Sequence, residues 1–202
     1  IRPANDRRDQ GRRVDTPGGA ADALRQLDEI FLSCPHLQQS LPEQTRVGQQ
    51  FGRQRPQIQS QIAVINADYR RLNADASSVP SVFAGVAADC RIEFALAVRD
   101  PNCGATTGIT RTETTATGWT RSQTGMLSAA GGGHDPWDET KYLNIWVCNY
   151  TDGLLGKGSF PGNPNQGVRC HYRAFGSTGV LSAPYDRGRT LTHEIGHYLN
   201  LN

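Results

Sequence analysis

No stretch of this chain approaches the ~20 consecutive apolar residues that a membrane helix requires. Only 37% of the 202 residues are apolar, and they are dispersed. A helical membrane span is therefore not expected. Neither sign of charge dominates: 21 Lys and Arg face 19 Asp and Glu for a net charge of +2, and no dense basic stripe interleaves with aromatics. Nucleic acid has no electrostatic footprint here. The five cysteines, Cys34, Cys90, Cys103, Cys148 and Cys170, include no CxxC pair of the kind found in zinc ribbons and thioredoxin-like sites. A GxSxG elbow and a CGSCW-like context are also missing, which leaves serine and cysteine hydrolases without support. No internal repeat is present, and the chain opens at Ile1 without an initiator Met or an apolar leader core. The expectation is a removed leader or a fragment.

The length suits one ordinary domain with a real core. Cys90 and Cys103 flank a candidate strand and its turn, while Cys148 ends one apolar run and Cys170 begins another. Two bridges with one leftover thiol would place the protein in a secreted or extracytoplasmic setting. Five reduced core thiols are the alternative.

Residues 1–56 are rich in Arg, Gln and Gly and read as an N-terminal arm. Their one sizeable apolar cluster, Ala23, Leu24, Leu27, Ile30, Phe31 and Leu32, fits a short amphipathic helix. From Gln57 the character changes. Ile58, Ile62, Ile65, Tyr69 and Leu72 recur at helical spacing and predict a helix through Asn73. Strict alternation over Arg91 to Val98 predicts a half-buried strand. Gly108 to Thr115 reads as a strand or extended loop, and the continuous run Lys141 to Asn149 reads as a strand buried on both faces. Leu154 to Phe160, interrupted by Gly156 and Gly158 and stopped by Pro161, suits a sheet edge. Val168 to Phe175 is a further strand, and a last helix closes a mixed α/β domain.

That last helix carries chemistry. Thr190 to Leu199 contains His193, Glu194, Ile195, Gly196 and His197, an HExxH motif. Residues four apart share a helix face, so both imidazoles reach one metal ion while Glu194 stays free to act on a water. Zinc lowers the pKa of bound water from about 15.7 to about 7, and a neighbouring carboxylate takes the proton as a carbonyl is attacked. Glu194 is the expected general base and proton carrier to the leaving amine, and the reaction is peptide hydrolysis. The long form of the motif, HExxHxxGxxH, places a third ligand just after Asn202. Where that form has Gly for a sharp turn this chain has Asn200, the non-glycine residue type most tolerant of positive φ.

The segment from Gln57 onward resembles the pappalysin family of metzincin zinc metallopeptidases. The likeness rests on IQSQIAVINADYRRLNADAS, RIEFALAVRDP with TTGITRT, GGHDPW with KYLNIWVCN, GLLGKGSFPG, YRAFGS and GRTLTHEIGHYLNL. The resemblance implies a metzincin-like upper subdomain over 57–202, with a twisted, mostly parallel sheet, a backing helix and a C-terminal active-site helix. It implies zinc held by His193 and His197, Glu194 as general base, and a protein or peptide substrate pairing with the edge strand at Leu154 to Phe160. The third ligand, the lower subdomain and the Met-turn are expected beyond Asn202, because the sole methionine, Met126, lies upstream. The apolar first strand of the family has no counterpart in Arg46 to Pro56, and Cys34 in SCPHL does not read as a zinc-blocking pro-segment. As given, the chain is expected to have weak or absent activity.

Three further histidines are read as structural. His134 sits in a turn beside Asp135 and Pro136, while His171 beside Cys170 and His36 near Cys34 lack further ligands. The alternative to a peptidase is a truncated or degenerate peptidase fold serving as a secreted binding or structural module. The sequence leaves the oligomeric state open.

Overall fold

The computed structural model describes residues 26–33, 55–164 and 166–202. A mixed sheet holds strands β1 (Gln26–Ser33), β2 (Ala95–Leu96), β3 (Ile109–Glu113), β4 (Leu143–Cys148), β5 (Gly156–Gly158) and β6 (Val168–His171) in the order β2-β1-β4-β6-β5, with β3 also paired to β1. Among the described residues three α-helices accompany it: α1 (Arg55–Tyr69), the short α2 (Ser81–Ala84) and α3 (Arg189–Tyr198). None is long and apolar enough to cross a membrane.

The apolar run of β4 explains the layering. All six of its residues are buried, so each face must be covered. Leu143, Ile145 and Val147 join Val168 and Cys170 of β6 against Ile58, Ile65 and Tyr69 of α1 and Leu191 and Ile195 of α3. Trp146 and Cys148 face the other way, into a smaller cluster with Trp119, Met126, Leu127 and Tyr150. Ile65 is fully buried where α1 meets this core, so Ile65→Ala is expected to cost about 2–5 kcal/mol of stability, read by chemical denaturation.

Several expectations change. The apolar cluster around Ala23–Leu32 is not a helix in its described part. Gln26–Ser33 is β1, paired antiparallel with β2, β3 and β4. Short apolar runs fit either period, and three strand partners outweigh local helical spacing. The mixed α/β class stands, but only β4 and β6 run parallel; the remaining pairs are antiparallel. The α1 stripe ends at Tyr69, leaving Leu72 75% exposed. Over Arg91–Val98, Ile92, Phe94 and Leu96 do pack against the core, yet the backbone is β-strand only at Ala95–Leu96. The Val168–Phe175 strand stops at His171, where a 3-10 turn over Tyr172–Ala174 begins.

The anticipated disulfides are also absent among the described residues, where Cys90, Cys103, Cys148 and Cys170 are all thiols. The register gives the reason for the inner pair: Cys170 lies opposite Val147 and Cys148 opposite His171, so the two thiols project to opposite faces of the sheet. Cys34, His36 and most of the arm lie outside the described residues.

Candidate metal centre

The helix bearing the motif is held from beneath and behind. Leu191 and Ile195, both fully buried, fix its inner side in the core, which turns His193 and His197 away from it. Its first turn is tied to α1 by polar side chains. Gln61 donates from Nε2 to the Gly188 carbonyl at 3.0 Å and accepts from the Gly176 N–H at 2.6 Å. Asp68 accepts from the Thr192 hydroxyl at 2.6 Å and pairs with Arg189 at 3.1 Å, while Tyr69 donates to the Thr192 carbonyl at 3.1 Å. Burial pushes the Asp68 carboxyl up, against the opposing pull of Thr192 and Arg189. Arg189 also reaches Asp75 at 2.7 Å; hydrogen bonds from Asn73 and then Arg189 hold the Asp75 carboxyl at about 2. The residue before His193 is thus pinned through both its side chain and its backbone.

Both imidazoles project to one spot. His193 Nε2 and His197 Nε2 stand 3.1 Å apart with ring planes at 82°. Two nitrogens bound to one tetrahedral zinc at about 2.0–2.1 Å would be separated by roughly 3.3 Å, so the pair fits that ion. His197 Nδ1 lies 2.8 Å from the Leu201 carbonyl. A carbonyl oxygen only accepts, so Nδ1 carries the hydrogen and Nε2 of the neutral ring presents a lone pair. Such an outer partner is what orients a metal-ligating imidazole. Among the described residues no group of three His, Cys, Asp or Glu converges.

Glu194, 8% exposed, is the buried one of the motif's three polar residues. Its Oε2 accepts the Gly158 N–H at 2.7 Å, and Oε1 has no protein partner among the described residues. This contact demands glycine in β5. A Cβ on Gly158 would lie 2.2 Å from the Glu194 carbonyl oxygen, and one on Gly156 would lie 2.6 Å from Glu194 Cγ. The interrupting glycines read from the sequence as marks of a sheet edge are also what let the strand close on the helix. Their partner is 36 residues away in sequence, which no local pattern announces.

Beyond the motif, Asn200 adopts φ 71°. The Leu201 N–H bonds the Gly196 carbonyl at 2.9 Å and the Asn200 N–H bonds the His197 carbonyl at 2.9 Å, a Schellman closure that delivers the Leu201 carbonyl to His197. The tolerance of Asn for this turn is realised. Asn200→Val is expected to cost about 1–2 kcal/mol and to weaken zinc binding about 10–100-fold by misplacing that carbonyl, checked by denaturation and metal titration.

The other two described histidines bond the local backbone. His134 Nδ1 is 2.6 Å from the Asp135 carbonyl, and His171 Nδ1 accepts the Arg173 N–H at 3.1 Å. Burial, then the Arg173 charge, holds His171 below its usual range.

With this geometry in place, comparison with known proteins shows what the chain is similar to. The Peptidase_M43 family, described as Pregnancy-associated plasma protein-A, matches residues 133–202, which include the motif. An extracellular metalloprotease of Arthroderma otae is 37% identical over 87 residues, covering 40% of this chain and 30% of that protein. One from Arthroderma benhamiae is 40% identical over 65 residues, covering 29% and 24% respectively. Among solved structures, Tannerella forsythia mature mirolysin in complex with a cleaved peptide superposes with a TM-score of 0.69 at 47% identity, covering 72% of this chain and 56% of that one. Mirolysin in complex with compound 9 gives 0.68 at 47% identity with the same coverage. The chain therefore spans about a quarter to a third of the curated relatives and just over half of the solved ones. The resemblance to the pappalysin metallopeptidases is shown in both sequence and fold.

Proposed function

We propose that this chain is the upper part of the catalytic domain of a secreted zinc endopeptidase, with His193 and His197 as two zinc ligands and Glu194 as general base. The observation that carries the reading is the convergence of the two Nε2 atoms at 3.1 Å beside a buried carboxylate anchored on the edge strand. Zinc, when bound, supplies a Lewis acid that acidifies water and polarises the peptide carbonyl. The chain's own groups do the rest. Glu194, steadied through Oε2, offers Oε1 to take a proton from the attacking water and to return it to the leaving amine. β5 pairs only with β6 among the described residues, so its other edge is open to an extended peptide. Direct bonds run from the His171 N–H to the Leu155 carbonyl and from the Ser159 N–H to the Gly167 carbonyl. By the alternation of an antiparallel ladder, Gly156 and Gly158 then turn their backbone groups to the open side, where Glu194 already takes the Gly158 N–H and leaves the Gly158 carbonyl and both groups of Gly156 to a peptide. The catalytic unit in this reading includes β1 as well as residues from Gln57 onward, and the names of the extracellular relatives support secretion.

The test is metal analysis of the purified longer protein that carries this segment and of its His193→Ala variant, with circular dichroism as a folding check and an internally quenched peptide as substrate, since the segment alone is expected to be weakly active or inactive. Near-equimolar zinc that is lost in the variant, with cleavage that stops on chelation and returns with zinc, is the expected result. A folded protein that neither retains zinc nor cleaves any peptide would overturn the reading.

A further inference from the structure

On the sheet face turned away from α1 and α3, three strands place Trp146, Arg169 and Lys157 in one row. Trp146 stands opposite Arg169 in the parallel pair, and Lys157 stands opposite Arg169 in the antiparallel pair. Residues directly opposed in an antiparallel ladder project to the same face, so two cations lie side by side. Like charges in that position weaken a ladder. None of the ion pairs seen among the described residues involves Lys157 or Arg169.

Arg169 is the sharper anomaly. The residue is 7% exposed, and its Nη1 is sealed from solvent with no hydrogen-bond partner. A guanidinium does not shed its proton in a protein, so the charge persists, and a buried unpaired charge is costly. The Tyr150 hydroxyl, buried beside the Cys148 thiol, lies within reach of the Arg169 charge. Lys157, by contrast, is exposed on the edge strand and opens the row to solvent.

We infer that this row is a binding site for a carboxylate or similar oxyanion, with Arg169 as its deep contact and Lys157 at its mouth. Two sources share that chemistry. One is a free anion. The other is an acidic side chain of an extended peptide lying along β5, since alternate side chains of an added strand fall on this face. The peptide source rests on the proposed docking to β5, whereas the free-anion source does not, so the two readings fail separately.

The experiment follows the unfolding temperature and tryptophan fluorescence of the protein during titration with sodium acetate against sodium chloride at equal ionic strength. A second arm titrates a capped pentapeptide with central Glu, with the Gln peptide as control. Arg169→Gln and Lys157→Gln are compared with the wild type. A saturable acetate response is expected in the wild type, weakened about tenfold in Lys157→Gln and lost in Arg169→Gln. Should Arg169→Gln fail to fold, Lys157→Gln carries the comparison. A Glu peptide binding at least about tenfold tighter than both acetate and its Gln counterpart assigns the site to peptide side chains; acetate binding without that preference assigns it to free anions. Acetate acting as chloride does on all three proteins, with no preference for Glu over Gln, would overturn the inference.

Discussion

Glu194→Gln is expected to lower kcat/KM for peptide hydrolysis by about 10²–10⁴-fold, the usual share of a positioned general base, while leaving zinc content and fold intact. The separation follows from what each atom of Glu194 does. One carboxylate oxygen accepts the Gly158 N–H at 2.7 Å, an interaction that the amide oxygen of Gln reproduces. What the amide lacks is a basic second oxygen. Stability is thus predicted to change little even though the residue is 8% exposed, and the loss should fall mainly on kcat. Activity within about twofold of wild type, with zinc retained, would take the general base away from Glu194 and require another group in that role.

The same residue shows how far the sequence could be read. HExxH is local: helical spacing alone brings His193 and His197 together, and the positive φ of Asn200 follows from the residue type at the turn. The buried centre of the sheet was equally legible, because an unbroken apolar run such as Leu143–Cys148 has to be covered on both faces. What escaped was set by partners distant in sequence. β1 looked helical because Leu24, Leu27 and Ile30 recur every three residues, and only its pairing with β2, β3 and β4 makes it a strand. Strand direction escaped for the same reason, since alternation fixes which face a residue takes and says nothing of its neighbour's direction. Gln61, fully buried within the apolar stripe of α1, offered a visible signal, because a polar residue at a core position must find buried partners; here they are the backbones of Gly176 and Gly188. The cysteines misled because their place in sequence next to apolar runs carried no information on the face each thiol takes.

His197→Ala is expected to abolish zinc retention, with an affinity loss larger than the 10–100-fold typical of removing an outer-shell partner. Three contacts meet at that imidazole ring. Its Nε2 stands 3.1 Å from His193 Nε2, its Nδ1 is fixed by the Leu201 carbonyl at 2.8 Å, and its ring centroid lies 5.3 Å from that of Phe160, the two rings tilted by 47°, just beyond β5. Truncation leaves His193 alone among the described residues, and one imidazole does not hold zinc at the low free concentrations of a dialysed sample. The fold should survive, because the residue faces away from Leu191 and Ile195 and its backbone hydrogen bonds remain. Isothermal titration with zinc, paired with circular dichroism, separates the two effects. A variant that is folded and binds zinc as tightly as the wild type would show that the metal is held elsewhere. Asn200→Val then supplies the graded comparison, since it keeps both imidazoles and disturbs only the carbonyl that orients one of them.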